Sequence, residues 1–206
     1  MLFVGGASGV GKTTLAYVLG QRFSVNVVEV DDIHTALETV TTPEQQPLIH
    51  FWRTNWPQFS AYSDQEHVEH FLDVSREVYN PVLTAVVADR LAGGMPAIIE
   101  GDFILPELAA LPTFNGQAND GRVQALVVQE YDEAQIAANV MDRQGGDASL
   151  PARTSWLKNQ WLQRECDRLG IPTVAARPWA TAADRAVTAI THPQQALPHA
   201  PGQGDG

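Results

Sequence analysis

Short apolar runs alternate with segments of helical periodicity along most of the chain. The runs predict buried strands over residues 2–4, 25–30, 97–100, 123–129 and 172–175. Between them, apolar residues recur every three or four positions and predict helices over residues 13–23, 33–37, 63–92, 132–143, 155–169 and 182–190. Strands that alternate with helices indicate an α/β fold, with helices on both faces of a five-stranded parallel sheet. In such a sheet, functional residues lie at the carboxyl ends of the strands.

Capping residues and prolines mark the expected helix boundaries. Thr42 followed by Pro43 predicts the start of one further helix. The letters SDQE at residues 63–66 match a capping box, which opens the long helix. We expect Pro81 to kink that helix and the Gly93-Gly94 pair to end it.

The length of 206 residues suits one domain, which we predict over residues 1–191. A hydrophobic content of 44% is typical of a globular core. Residues 115–121, NGQANDG, predict a polar turn. Residues 192–206 are rich in Pro, Gly and Gln, and we expect them to form a disordered tail.

Charge and the single cysteine restrict the class of protein. A net charge of −11 argues against a general nucleic-acid-binding surface, which is usually basic. With Cys166 alone, no intrachain disulfide framework can form, and we predict that this thiol packs inside a helix. No apolar run reaches the roughly 18–20 residues of a membrane span, and no signal peptide is visible. The expectation is a soluble cytoplasmic protein with no membrane partner; the sequence carries no signal of oligomeric state.

A complete phosphate-binding motif follows the first predicted strand. The letters GASGVGKT fit G-x-x-x-x-G-K-S/T between a strand and a helix, the context that this motif requires. Backbone N–H groups of such a loop point at phosphate oxygens, the lysine reaches the β and γ phosphates, and the threonine hydroxyl holds Mg²⁺. The predicted nucleotide-binding residues are Gly6, Ala7, Ser8, Gly9, Val10, Gly11, Lys12, Thr13 and the adjoining Thr14. The alternative is a glycine-rich turn with a chance lysine. A dinucleotide-binding fingerprint does not fit, because Thr14 occupies its third glycine position.

Four acidic residues follow the second and third predicted strands. Asp31 and Asp32 come after residues 25–30, while Glu100 and Asp102 lie in the stretch IIEGDFILP. Next to a phosphate loop, one carboxylate can hold Mg²⁺, directly or through water, and another can accept the proton of an attacking hydroxyl. The alternative is that these acids cap helices at strand-to-helix turns.

These residues resemble those of known P-loop kinases. VEVDDIH is similar to the D-G-D-x-L-H stretch of gluconate kinases and the D-x-D of shikimate kinases, and IIEGDFILP resembles the EG…P strand of 2-phosphoglycerate kinases and zeta-toxin-type kinases. The resemblance implies a three-layer P-loop NTPase fold that binds ATP and Mg²⁺, with a helical substrate cap at about 33–92 and a lid at about 143–155. It implies that Asp31 is the proton acceptor and that Glu100 lies near the metal. The motifs and the composition of the expected cap together give Asp31, Asp32, His34, Arg53, Trp56, Gly101 and Asp102 as candidate acceptor-binding residues. Val30 replaces a glycine of gluconate kinases, and their basic pocket is missing, so only the kinase class carries over.

Arginines in and after the expected lid are further candidates. The resemblance implies that lid arginines close over the phosphates, and Arg143 and Arg153 are placed to stabilise the transferred charge. Gly145, Gly146 and Pro151 would permit hinge motion. Arg177 falls where such kinases contact adenine. The alternative for all three arginines is an ordinary position on a solvated surface.

The expected substrate cap is poor in cations and rich in aromatic residues. From Asp32 to Pro96 there are three basic and nine acidic residues. Among the aromatic residues of this span are Phe51, Trp52, Trp56, Phe59 and Tyr62. This composition favours a neutral, hydroxylated or cationic small molecule as acceptor, held against aromatic faces. The alternative is that these rings only pack the cap. His67 and His70 do not match a zinc motif.

Three functional hypotheses follow from these patterns. The first is an Mg-ATP-dependent small-molecule kinase. The second is a P-loop ATPase that acts as a regulatory switch or motor, although the Asn-Lys-x-Asp signature of GTPases and the Asp-Glu strand end of motors are both missing. The third is a toxin, antitoxin or resistance factor with kinase chemistry, which differs from the first in its substrate.

Overall fold

Five parallel strands form the central sheet of the computed structural model, which describes residues 1–144 and 148–192. The strands of this sheet are β1 (Leu2–Gly5), β2 (Asn26–Glu29), β3 (Ala97–Gly101), β6 (Gln124–Gln129) and β7 (Thr173–Ala175). Their order is β2-β3-β1-β6-β7, and every neighbouring pair is parallel. Gly5 lies opposite both Gly101 and Val127, so the carboxyl ends of the three central strands meet at one edge. The predicted five-stranded parallel sheet is confirmed.

Helices cover both faces of the sheet. They are α1 (Lys12–Phe23), α2 (Val30–Val40), α3 (Pro47–Thr54), α4 (Trp56–Ser60), α5 (Asp64–Asp73), α6 (Asn80–Gly93), α7 (Glu133–Gln144), α8 (Ser149–Leu169) and α9 (Trp179–Thr191). Side chains of β1 alternate between two cores because successive strand residues point to opposite faces. Leu2 and Val4 pack in one core with residues of α1, α7 and α9, whereas Phe3 packs in the other with residues of α6. This is the expected three-layer α/β arrangement.

The acidic pair after β2 lies in a helix and not in a loop. β2 ends at Glu29, and α2 begins immediately at Val30, so Asp31 and Asp32 occupy the first turn of α2. Neither of them is the N-cap residue, because that position belongs to Glu29, whose side chain makes no capping hydrogen bond. The capping alternative therefore does not explain this pair.

The start of α3 differs from the prediction. Residues 43–45 form a turn in which the Thr42 N–H is bound by the Gln45 side chain at 2.9 Å, and the helix begins at Pro47 instead of Pro43. Both prolines suit a first helical position, and the second one is used. By contrast, the capping box of Ser63 and Glu66 is present, with a 2.7 Å bond from the Ser63 N–H to the Glu66 carboxylate.

A π-helical turn, Val74–Tyr79, joins α5 to α6 directly before Pro81. Proline has no N–H to donate to the preceding helical turn, and a π-helical turn is one way in which a helix accommodates this. The helix ends as expected, with Gly94 in the left-handed conformation at φ 64°.

The polar segment at 115–121 contains a β-hairpin that the sequence analysis missed. β4 (Thr113–Phe114) pairs antiparallel with β5 (Gln117–Ala118), and Asn115 and Gly116 between them have φ values of 44° and 83°. Two positive φ values at an Asn-Gly pair characterise the tight turn that joins such strands.

α8 begins six residues earlier than predicted, so residues 149–155 of the expected lid are part of this helix. Residues 149–155 are helical, with Pro151 in the first turn, and so this part of the segment is not a loop. Gly145 and Gly146, the expected hinge, lie outside the described residues, as do residues 193–206 of the expected tail. Cys166 is buried against Val127 and Leu162, which confirms it as a packing residue. Within the described ranges, no helix is both long and apolar enough to cross a membrane.

Candidate functional site

The phosphate-binding motif forms a loop between β1 and α1 that requires glycine at defined positions. Gly6 and Gly11 have φ values of 150° and 95°, a region that other residues rarely adopt. A Cβ on Gly6 would lie 2.8 Å from the Val128 carbonyl oxygen, and one on Gly11 would lie 2.2 Å from the ring of Trp179. The sequence therefore folds here into one compact loop that leads straight into the N-terminus of α1, a position that favours phosphate.

Side chains from α7 and α8 brace this loop. The Asn139 amide donates to the Gly9 carbonyl at 2.7 Å, and the Ser155 hydroxyl donates to the Ser8 carbonyl. Arg143 donates to the Ser8 hydroxyl, which brings one expected lid arginine to the phosphate loop. The loop is thus held in shape by helices that come more than 120 residues later in the chain.

Lys12 forms an ion pair with Asp102 beside the loop. Lys12 is 4% exposed, and its ammonium contacts the Asp102 carboxylate. Burial acts to lower the pKa of Lys12, but Asp102 raises it above its usual value. Burial likewise acts to raise the pKa of Asp102, whereas Lys12 and Lys158 hold it below its usual range. Both groups are therefore charged in this pair.

Glu100 and Thr13 lie together at the ends of β3 and the loop. The Thr13 hydroxyl donates to Glu100 Oε1 at 3.1 Å, and Glu100 is 2% exposed. Burial raises the pKa of Glu100 to about 7. Its second oxygen, Oε2, has no hydrogen-bond partner among the described residues. A hydroxyl and an orphaned carboxylate oxygen fit the oxygen ligands that Mg²⁺ prefers. No three His, Cys, Asp or Glu side chains converge on a metal site in the described ranges, so phosphates would have to share such an ion.

A cavity of about 720 Å³ extends from the phosphate loop into the helical cap. Ser8, Asp31, Asp102 and Arg143 line one end. The other end is lined mainly by rings, from Trp52, Trp56, Phe59, His67, His70 and Phe71. Desolvation and the charge of Asp102 raise the pKa of Asp31, against the effect of Lys12 and Arg143. Asp31 and Asp32 are both exposed, but only Asp31 lines the cavity.

His34 and Arg53 are already engaged by neighbouring side chains. His34 Nδ1 bonds to the Tyr79 hydroxyl, and its Nε2 lies 3.5 Å from Glu38 Oε1. Arg53 pairs with the other Glu38 oxygen at 2.9 Å. Burial lowers the pKa of His34. His34 and Trp56 line the cavity, whereas Arg53 is not part of its lining.

Three other candidate residues lie away from the cavity or serve packing. Arg153 pairs with Asp64 at 2.5 Å and with Glu133 at 3.2 Å, and so it is not brought to the phosphate loop. Arg177 donates to Gln135 at 2.7 Å and lies beside Asn139, behind the loop. A Cβ on Gly101 would lie 2.5 Å from the Val30 Cβ, so glycine lets α2 approach β3.

Lys158 on α8 lines the cavity and was missed by the sequence analysis. Its ammonium lies 4.5 Å from the ring centre of Phe71 and 5.3 Å from that of Phe103. A signal existed: the 206 residues contain only two lysines, Lys12 and Lys158, against eleven arginines. Lys158 shares the face of α8 that carries the buried residues Ser155 and Leu162, where a charged side chain is unusual.

Comparisons with known proteins point to kinases. No protein-family model matches the chain. A 2-phosphoglycerate kinase of Methanococcus vannielii is 33% identical over 116 residues, a match that covers 52% of this chain and 37% of that protein. A mevalonate-3-phosphate 5-kinase of Thermoplasma acidophilum is 25% identical over 108 residues, covering 52% of this chain and 53% of that protein. The matched region therefore spans about half or less of the length of these relatives.

Solved structures share the fold across nearly the whole chain. A sugar kinase from a Janibacter species superimposes with a TM-score of 0.55 at 16% identity and covers 96% of this chain and 98% of its own. A gluconokinase from Sinorhizobium meliloti gives a TM-score of 0.52 at 16% identity, with coverages of 95% and 92%. At this identity, the likeness concerns the fold alone.

Proposed function

We propose that this chain, a relative of the P-loop small-molecule kinases in sequence and in fold, transfers the γ-phosphate of Mg-ATP to a hydroxyl group of a small molecule. One observation carries the proposal: a single cavity joins the phosphate loop, the carboxylate of Asp31 and a ring-lined pocket. A hydrolase needs room only for water beside the γ-phosphate. This cavity has room for an acceptor as well.

The nucleotide would lie on the loop of residues 6–14, with Arg177 on the side of the base. Thr13 and Glu100 would hold Mg²⁺, which neutralises charge on the phosphates when it is bound. Lys12 and Arg143 supply cations next to the loop, and both can stabilise charge that develops on the transferred group. Arg153 could join them only by leaving Asp64 and Glu133.

The reaction proposed for this cavity is a direct transfer. The acceptor oxygen forms a bond to the γ-phosphorus while the bond from that phosphorus to the β–γ bridging oxygen breaks, and ADP leaves. Asp31 accepts the hydroxyl proton, and its raised pKa suits a general base better than that of an ordinary aspartate. Asp102 is less suited to this step, because Lys12 already holds its carboxylate.

The acceptor is proposed to be a hydroxylated molecule that packs against the rings of Trp56, Phe59 and Phe71, with His34 and Asp102 within its reach. Rings of this kind suit the neutral or cationic acceptor that the composition of residues 32–96 favours. That composition includes only the cations of the expected cap. Lys158 enters the cavity from α8, outside that span, so the cation count no longer argues against an anionic acceptor.

Asp31→Asn tests the proposal, with Asp32→Asn as the matched control on the same helical turn. Hydroxylated metabolites, nucleosides and aminoglycosides would be screened for ADP production, and transfer measured with the best acceptor. We expect Asp31→Asn to slow transfer at least about 100-fold, with ATP affinity retained and Asp32→Asn close to wild type. Near-normal transfer in Asp31→Asn would remove the assigned base. Phosphate release without labelling of any acceptor would favour the switch-like ATPase.

A further inference from the structure

Two lysine or arginine side chains line the cavity within the described ranges: Arg143, which donates to the Ser8 hydroxyl, and Lys158. Among the described residues, no acidic side chain forms a salt bridge with Lys158, whereas Lys12 is paired with Asp102 and Arg53 with Glu38. Its ammonium instead lies over the rings of Phe71 and Phe103. Rings attract a cation without occupying its N–H donors in strong hydrogen bonds. The donors of Lys158 are therefore available to a ligand.

The helix that carries Lys158 is fixed to the phosphate loop. Ser155, three residues earlier on α8, donates to the Ser8 carbonyl. Residues three apart lie on the same side of a helix, so Lys158 is on the loop-facing side one turn further along. Asn159, the next residue, is tied to the backbone of Glu130 at 2.7 Å. The contacts of Ser155 and Asn159 therefore fix the part of α8 that carries Lys158.

Lys158 lies between the ring-lined end of the cavity, where it contacts Phe71, and the transfer centre. Phe103, on which the ammonium rests, directly follows Asp102, the partner of Lys12. Burial lowers the pKa of Lys158, while the charges of Asp102 and Asp31 act to raise it. These are the carboxylates at the phosphate end of the cavity. Arg153, the second cation expected for the transferred group, is held elsewhere by Asp64 and Glu133.

We propose that Lys158 joins Lys12 and Arg143 as a cation of the transfer centre and that its ammonium binds an oxygen of the phosphoryl group as it passes to the acceptor. This rests on the proposed function. It gives Lys158 the role that the sequence suggested for Arg153, which lies earlier on α8. A charge that meets the phosphoryl group only during transfer lowers the barrier more than it strengthens nucleotide binding.

The test compares the binding of Mg-ADP with that of Mg-ADP plus aluminium fluoride, which mimics the phosphoryl group in transfer, by calorimetry. The variants are Lys158→Met, Lys158→Arg and, as the control, Arg168→Met, which removes an exposed cation from the far end of α8. Aluminium fluoride should tighten the binding of Mg-ADP to wild type. We expect this tightening to be about 10- to 100-fold smaller in Lys158→Met, while the affinity for Mg-ADP alone is unchanged. Lys158→Arg should keep part of the gain, and Arg168→Met all of it. Thermal unfolding confirms that each variant is folded.

The outcomes separate this role from the proposed function. Two results would overturn the role of Lys158 and leave the nucleotide site standing. In the first, wild type binds Mg-ADP but aluminium fluoride does not tighten the binding. In the second, aluminium fluoride tightens the binding to Lys158→Met as much as to wild type. If wild type binds neither Mg-ADP nor Mg-ATP, both proposals fail. With an acceptor in hand, Lys158→Met should lower kcat by a similar factor and leave the KM for ATP unchanged. A rise in the acceptor KM alone would instead assign the ammonium to the acceptor and overturn the role in transfer.

Discussion

The two ends of the cavity are built in different ways. At the phosphate end, Lys12, Thr13 and Ser8 come from one short loop, and each is held by a partner from another element. At the ring-lined end, His67 is 3% exposed, yet neither of its ring nitrogens has a hydrogen-bond partner among the described residues. Trp56 at that end remains 48% exposed. The phosphate end is organised before any ligand binds, whereas the ring-lined end has contacts still to be made.

The largest effect is expected for Lys12→Met, at the phosphate end of the cavity. It removes the cation that we propose meets the phosphates, and we expect transfer to fall roughly 1000-fold. Steady-state ADP production with the screened acceptor measures this loss. Because Asp102 would be left without its partner, the double variant Lys12→Met/Asp102→Asn separates lost chemistry from lost folding. Arg22→Met, at an exposed pair with Asp184, is the control. Transfer within tenfold of wild type would contradict the assignment of Lys12.

Gly11→Ala tests whether the shape of the loop depends on its packing. Alanine at φ 95° is strained, and its Cβ would overlap the Trp179 ring, so we expect a loss of about 3 kcal/mol in unfolding free energy. Urea denaturation measures this loss. Gly94→Ala is the matched control, since its φ of 64° is also positive but its Cβ would meet open space. Equal losses in the two variants would show that the ring contributes nothing.

Trp56→Ala tests whether the ring-lined end of the cavity binds the acceptor. We expect the acceptor KM to rise about fivefold, because a ring face is worth on the order of 1 kcal/mol to a bound ligand, while the KM for ATP stays the same. Tyr131→Ala removes another exposed ring, outside the cavity, and should change neither constant. A parallel change in both KM values would mean that the two ends are not independent.

The smallest effect is expected for His67→Phe, at the ring-lined end of the cavity. Phenylalanine removes two unpartnered polar atoms from the ring cluster of Phe59 and Tyr62, and we expect a gain of about 1 kcal/mol in unfolding free energy. Burial lowers the pKa of His67, so the unfolded chain takes up its proton first as pH falls. Stability attributable to His67 is therefore present above pH of about 6.5 and declines below it.

Urea denaturation from pH 7.5 to 5.5 compares wild type with the variant. The slope of unfolding free energy against pH should be shallower in His67→Phe. His34 and His70, whose pKa values burial also lowers, should maintain part of the slope. An unchanged slope would show that His67 does not titrate in this range.

The contrast between the two ends also explains what the sequence could predict. Residues 6–13 are consecutive, and their glycines and lysine are required by backbone geometry and phosphate charge, so the motif alone identifies them. The order of strands and helices followed from apolar periodicity, which reports burial directly. Asp31 was placed beside the loop by the parallel sheet, although it lies on α2 and not at a strand end.

Contacts between segments that are distant in the chain could not be predicted from the sequence. Lys158 lies on a helix that Ser155 attaches to the loop, through a contact that spans 147 positions in the chain. Arg153 looked equivalent to Arg143 in the sequence, yet Asp64 holds it away from the phosphates. The helix that starts at Pro47 had a competing start signal at Pro43, and residues 43–45 form a turn instead. Such choices depend on tertiary contacts and not on local patterns.

The contact between Gly11 and Trp179 joins the first tenth of the chain to its last described helix. A ribosome releases the phosphate loop early, but the ring that packs on it emerges some 170 residues later. The packing of Trp179 against the loop can therefore form only after residue 179 has been synthesised. A chain truncated before α9 would retain every residue of the phosphate-binding motif but would lose the ring that packs on Gly11.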